Sequence, residues 1–166
     1  MESPKCRLES LREEDLPHLV RLYTDPVVRA FLGGPDDPLV AREKAEALFR
    51  KVERSSVWSV RRISDDEFLG SVYLAPHHHG DDMEVSYTFL PEHQGNGHAA
   101  WAVTAVLKHA FQTLKLTKVV AETQALNEKS IRLLARVGML LEQSLVRFGA
   151  DQVIYSIDCE RFGYRL

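Results

Sequence analysis

The sequence predicts an α+β fold, a mixed and mostly antiparallel sheet flanked by helices, in the order β-α-α-β-β-β-α-β-α-β-β. Three observations lead there. Apolar, alternating runs at residues 57–61, 68–74 and 83–90 follow one another over brief polar links, as in an antiparallel meander. A long amphipathic run, 99–114, then carries the chain to another β-rich stretch at 118–123, the layout of a helical crossover. No repeat or linker interrupts the 166 residues, enough for one substantial core, so 1–166 reads as a single domain.

Taken in order, residues 6–11 alternate and form a first strand. Glu13-Glu14-Asp15 opens a helix to about Tyr23, its acidic first turn suited to the helix dipole, with Leu16, Leu19, Val20 and Tyr23 on one face. Thr24-Asp25-Pro26 breaks it. A short apolar segment, 27–32, leads into Gly33-Gly34-Pro35-Asp36-Asp37-Pro38, the strongest loop signal in the chain. A second helix is expected from Leu39 to about Arg54, burying Val40, Ala45, Leu48, Phe49 and Val52. The meander strands follow, with Ser64-Asp65-Asp66 as a turn and a polar connection over 76–82. In the third of them Val85, Tyr87 and Phe89 share a face. The long helix repeats Ala99, Val103, Val106, Leu107, Ala110, Phe111 and Leu114 at helical spacing. After the strand centred on Val119-Val120-Ala121, residues 129–137 form a helix stopped by Gly138 as a C-cap. Strands at 140–146 and 153–157, joined through Phe148-Gly149-Ala150-Asp151, close the chain.

Composition narrows the function classes. Apolar residues at 45% and charged residues at 27% fit a soluble globular protein. A net charge of −3 argues against a general nucleic-acid binder, whose affinity comes from clustered Lys and Arg. No apolar run approaches the ~20 residues that span a bilayer, and the N-terminus carries no secretory segment. Cys6 and Cys159 make no CxxC pair. These features predict a reduced, cytoplasmic protein, although a Cys6–Cys159 bridge remains open at this stage.

The most telling stretch is Gln94-Gly95-Asn96-Gly97-His98-Ala99, between a strand and the long helix. Its glycines permit a tight turn, and the free N–H groups of the helix start, with the dipole behind them, favour an anion. A P-loop would need Lys-Ser or Lys-Thr after the last glycine, where His98-Ala99 stands. A dinucleotide fingerprint would need a third glycine near Ala100. The pattern Gln/Arg-x-x-Gly-x-Gly/Ala does match, and here the chain resembles the GCN5-related N-acetyltransferase (GNAT) superfamily. A second motif, Asn127-Glu128-Lys129-Ser130 through Gly138-Met139, resembles the N-x-x-S…G-F signature of the branch that acetylates protein N-termini, notably ribosomal-protein alanine acetyltransferases. Arg7-Leu8, Leu11-Arg12-Glu13-Glu14-Asp15-Leu16 and Tyr23-Thr24-Asp25-Pro26-Val27-Val28 are similar to that branch as well.

The resemblance implies the three-layer acyl-CoA N-acyltransferase fold and an acetyltransferase that moves acetyl from acetyl-CoA directly to a primary amine. It implies coenzyme binding by Phe89, Leu90, Gln94, Gly95, Asn96, Gly97, His98, Ala99, Asn127 and Ser130, with a Phe89 or Leu90 N–H facing the thioester oxygen. Glu84 is the candidate base and Ser130 the candidate group beside the departing thiolate, so both are expected to be catalytic. Asn127 and Ser130 are equally the residues of a helix N-cap and first turn. The chain departs from the family at Ser86, Trp101, Leu134 and Met139, where Gly, Glu, Tyr and Phe are usual. Without a phenol at Leu134, Tyr87 and Tyr155 stand as further candidate acids.

The acceptor, a peptide N-terminus or a small-molecule amine, is expected against Phe31, Glu84, Tyr87 and Phe148, with Leu32, Gly33, Trp58 and Tyr73 as further walls; Trp58 and Tyr73 read as core. His77-His78-His79 invites a metal, but adjacent strand residues point to opposite faces, so an exposed connection and no metal are expected. His93 and His98 read as surface histidines. Neither nucleic acid nor membrane is an expected partner, and a monomer or homodimer is. The competing reading is a non-catalytic acyl-CoA-binding regulatory module.

Overall fold

The computed structural model describes residues 1, 5–50 and 56–163. Strands β1 (Cys6–Ser10), β2 (Ser56–Arg62), β3 (Phe68–Pro76), β4 (Met83–Phe89), β5 (Lys118–Gln124), β6 (Leu140–Arg147) and β7 (Ala150–Asp158) form one sheet in the order β1-β2-β3-β4-β5-β7-β6. Every neighbouring pair is antiparallel except β4 and β5. Helices α1 (Leu16–Thr24), α2 (Pro38–Arg50), α3 (His98–Gln112), α4 (Glu128–Val137) and α5 (Cys159–Gly163) complete it. The predicted order and the mixed, mostly antiparallel sheet flanked by helices hold, with α5 the addition.

The sheet separates two cores. Val60, Leu69, Val72, Leu74, Val85 and Phe89 meet Val103, Val106, Leu107 and Ala110 of α3 and Leu134 of α4 on one face. Leu19 and Leu22 of α1, Ala45 of α2, Phe68 and Leu90 form the smaller core on the other. A bulge sorts β3 between them: Val60 pairs with Gly70 but Arg61 with Phe68, so Leu69 enters the large core and Phe68 the small one.

Several expectations change. Pro17 in the first turn goes with a split start, Glu13–Asp15 forming a 3-10 turn before α1. Buried Asp15 accepts the Arg12 N–H at 2.8 Å and pairs with buried Arg61. In α2 the buried positions are Ala41 and Ala45, whose small side chains let α1 approach, while Val40 and Phe49 are exposed. Residues 51–54 of the expected helix, with Val52, lie outside the described residues. Cys6 is buried and Cys159 exposed, and neither forms a disulfide. No helix among the described residues is long and apolar enough to cross a membrane.

Candidate active site

The site begins where the sheet comes apart. Strands β4 and β5 pair only at Met83↔Val119 and Glu84↔Val120, although β4 continues to Phe89 and β5 to Gln124. Beyond Glu84 the two parallel strands diverge. The Leu90 N–H donates to the Leu69 carbonyl of β3 at 3.1 Å, so Leu90 addresses the closed edge. Strand residues alternate between edges, which turns the main-chain groups of Phe89, Tyr87 and Val85 toward the opening. Between the two donors considered from sequence, Phe89 therefore faces the gap. The Gln94 side chain reaches back to donate to the Phe89 carbonyl at 3.0 Å.

Past a 3-10 turn at Pro91–His93, Gly95 and Gly97 both adopt φ +81°. An added Cβ would meet nothing within 4 Å at either position, so backbone conformation rather than space demands glycine. Gly97 is the N-cap of α3 and accepts the Trp101 N–H at 3.1 Å. The N–H groups of His98, Ala99 and Ala100 precede the first intrahelical bond and open onto the turn. His98 does not face outward as expected: its Nδ1 lies 2.9 Å from Cys6 Sγ on β1, and burial, then the charges of His93, Arg62 and Lys5, lower its pKa. His93 is buried too, its pKa also lowered, chiefly by burial. The His93 Nε2 lies 3.4 Å from Glu67 Oε1.

Across the opening, Asn127 caps α4 by accepting the Ser130 N–H at 3.2 Å and donates from Nδ2 to Thr123 Oγ1 at 3.1 Å. That cap sets Ser130, whose Oγ lies 2.8 Å from the Tyr87 hydroxyl on β4. Burial pushes the Tyr87 phenol up to about 12, against a smaller lowering by Ser130, so it keeps its proton at neutral pH. One turn along, Leu134 is wholly buried in the large core. Tyr155 packs against that core from β7.

On the opposite face Glu84 stands at the closed end of the opening, its Oε1 3.4 Å from the Glu122 N–H of β5. Burial, only partly offset by His77 and that N–H, raises its pKa. The neighbouring Glu122 carboxylate is 6% exposed. Its Oε2 lies 2.9 Å from His77 Nε2, 2.8 Å from Arg147 Nη1 and 3.4 Å from His78 Nε2. The expectation that the imidazoles diverge is thus corrected for His77 and His78. Both lie beyond β3, where strand alternation no longer applies, and their rings approach to 4.2 Å. The ligand atoms of His77, His78 and Glu122 fall within 4.8 Å of one another, but the Arg147 guanidinium already supplies their cation. Burial opposes charge on His77, yet the His79 carbonyl, Glu122 and Glu84 outweigh it and raise its pKa. Sequence reading missed Glu122 and Arg147, since no local spacing links them.

Among the expected acceptor walls, Phe148 is 77% exposed and rests against His78 at 5.4 Å between ring centres. Phe31, half-buried, lies in the turns between α1 and α2. Trp58 meets His109 of α3 edge-on at 5.6 Å, on the large-core face, and Tyr73 is bonded to Ser71 and Tyr23 beneath α1.

Residues 5–140 match the acetyltransferase (GNAT) domain family, and the chain belongs to it. The chain is 28% identical over 156 residues to the uncharacterized protein YkkB of Bacillus subtilis (strain 168), with 91% of each chain covered. Its fold resembles the GNAT-family acetyltransferase from Bacillus anthracis at a TM-score of 0.84 and 19% identity, covering 96% of this chain and 98% of that one. It also resembles spermidine N-acetyltransferase from Vibrio cholerae, solved with CoA and spermine, at 0.83 and 20%, covering 96% and 99%. By family, the chain is an acetyl-CoA-dependent N-acetyltransferase.

Proposed function

We propose that this GNAT acetyltransferase acts on a primary amine through the opening between β4 and β5, with Glu84 as the base. The observation that carries the reading is the single line of features along that opening. An anion-suited glycine turn stands at its wide end, an unpaired main-chain edge along its side, and a half-buried carboxylate where it closes. Such a line fits a coenzyme with a diphosphate at one end and a thioester at the other. When bound, acetyl-CoA supplies the acetyl group as a thioester.

The chain's own groups do the rest. The N–H groups at the start of α3 hold the diphosphate, with Gln94, Gly95, Asn96, Gly97, His98 and Ala99 shaping the turn. The Phe89 N–H is the donor available to a carbonyl oxygen in the opening. Glu84 accepts the proton of the acceptor ammonium, directly or through one water, because the protonated nitrogen has no lone pair to offer. A second proton leaves the same nitrogen as the N–C bond forms and the C–S bond breaks, and it ends on the thiol. Ser130 and Tyr87, already bonded to each other, are the hydroxyls that can relay it. Asn127 fixes Ser130 through the α4 cap.

Two likenesses support an amine acceptor and differ over what bears it. The Asn127–Ser130 motif resembles enzymes of protein N-termini, and the Vibrio cholerae structure holds spermine. Thiol release measured over a panel of amines and N-terminal peptides tests the reading. Glu84→Gln should abolish most of that release while calorimetry shows unchanged coenzyme affinity; a fully active Glu84→Gln would remove Glu84 from the chemistry.

A further inference from the structure

We infer that the acceptor is an amine carrying its own negative group, a carboxylate or a phosphate, which Arg147 holds while Glu84 receives the ammonium proton. The inference rests on the transfer reading above and names the substrate class for the same site. Glu84 and Glu122 lie side by side on the face away from α3, which at first suggests a seat for a polycation. Of the two, Glu122 has ion-pair partners among the described residues, although its Oε1 is buried without a hydrogen-bond partner. Glu122 already receives Arg147 Nη1 at 2.8 Å and His77 Nε2 at 2.9 Å through one oxygen. A second ammonium entering here would have to share the Glu122 carboxylate with the Arg147 guanidinium and the His77 imidazole.

The same residues suit an anion. Arg147 uses Nη1 for Glu122 and His78, which leaves Nε and Nη2 without a hydrogen-bond partner among the described residues. A guanidinium presents its remaining donors in a planar fork that matches carboxylate and phosphate oxygens. Its side chain is 18% exposed, enough for a small ligand to reach. Beside it, Phe148 at φ +53° projects an exposed ring that lies tilted against His78, an apolar shelf next to the fork. Asp151, the nearest acid in the turn region, pairs with Val146 in the β6–β7 register and so points to the other face. Glu122 links the two positions, its N–H 3.4 Å from Glu84 Oε1 and its Oε2 2.8 Å from Arg147 Nη1, so amine and anion sites are neighbours.

The experiment compares primary amines matched in size: free amino acids, aminoalkyl phosphates, the corresponding amino-acid amides, and spermidine. Thiol release should favour the acids or the phosphates over the amides by at least tenfold in kcat/KM, with spermidine poorest. The first two arms tell carboxylate from phosphate. Arg147→Ala should erase that ratio through KM rather than kcat, and Arg147→Lys should restore part of it. A preference for spermidine, or a ratio untouched by Arg147→Ala, would overturn the inference. Calorimetric titration of the same ligands into protein saturated with coenzyme A reads the preference without turnover. Release from no amine, combined with acid-selective binding lost in Arg147→Ala, would sink the transfer reading and keep this one; unselective binding would sink this one.

Discussion

The two ends of the β4–β5 opening are built differently. At the proposed coenzyme end, Gln94 to Ala99 form a continuous stretch with main-chain N–H groups at a helix start and two left-handed glycines. At the proposed acceptor end, His77 and His78 follow β3, Glu84 sits on β4, Glu122 on β5, and Arg147 ends β6. Side chains from separate strands make that surface, and their charges balance one another. A main-chain site tolerates many side-chain changes so long as its backbone geometry survives. A side-chain cluster instead fails or changes specificity with a single substitution.

The largest effect that would sharpen this contrast is at Glu84. Glu84→Gln should lower kcat by about 10²- to 10⁴-fold, the usual range for a positioned base, with coenzyme affinity intact. Its pH behaviour follows from burial, which raises the carboxyl pKa. The proton-bearing, inactive form therefore persists to higher pH than in an ordinary glutamate. Log kcat/KM should climb with unit slope through that raised value and then level, and the limb should vanish from whatever rate Glu84→Gln retains.

Next is Glu122→Gln. Removing the charge that His77 and Arg147 share leaves a buried imidazole and a partly exposed guanidinium unmatched, which should cost about 3 kcal/mol by urea denaturation. A loss below ~1 kcal/mol, the ordinary range of exposed pairs, would show the cluster to be loosely held. On the coenzyme side, Gly97→Ala should cost roughly 1–2 kcal/mol for a left-handed non-glycine residue and weaken coenzyme binding in calorimetry, leaving acceptor preference as it was. A change in acceptor preference there would break the division between the two ends. The smallest effect belongs to Asn127→Ala. Loss of the cap should cost about 1 kcal/mol in thermal stability and lower kcat modestly as Ser130 loses its hold.

The glycine turn and the α4 cap were legible because their information is local. The spacing of Gly95 and Gly97 before an amphipathic run is enough to place free N–H groups at a helix start, and Asn127-x-x-Ser130 signals its own cap. Element order was legible for the same reason, since a period of two or of 3.6 is written along the chain. Errors fell where neighbours decide. Ala41 displaced Val40 from the α2 interface because α1 packs close, and His93 and His98 turned inward against the sheet.

Sequence alone determined the succession of strands and helices, the glycine turn, the caps of α3 and α4, and the family. These depend on backbone preferences and hydrophobic period, which act over a few residues. Only the tertiary structure decided where β4 leaves β5, that Phe89 rather than Leu90 faces the gap, and that Arg147 meets Glu122. Those are contacts between residues far apart in the chain, set by sheet order and register, and no pattern along one strand encodes its partner's position.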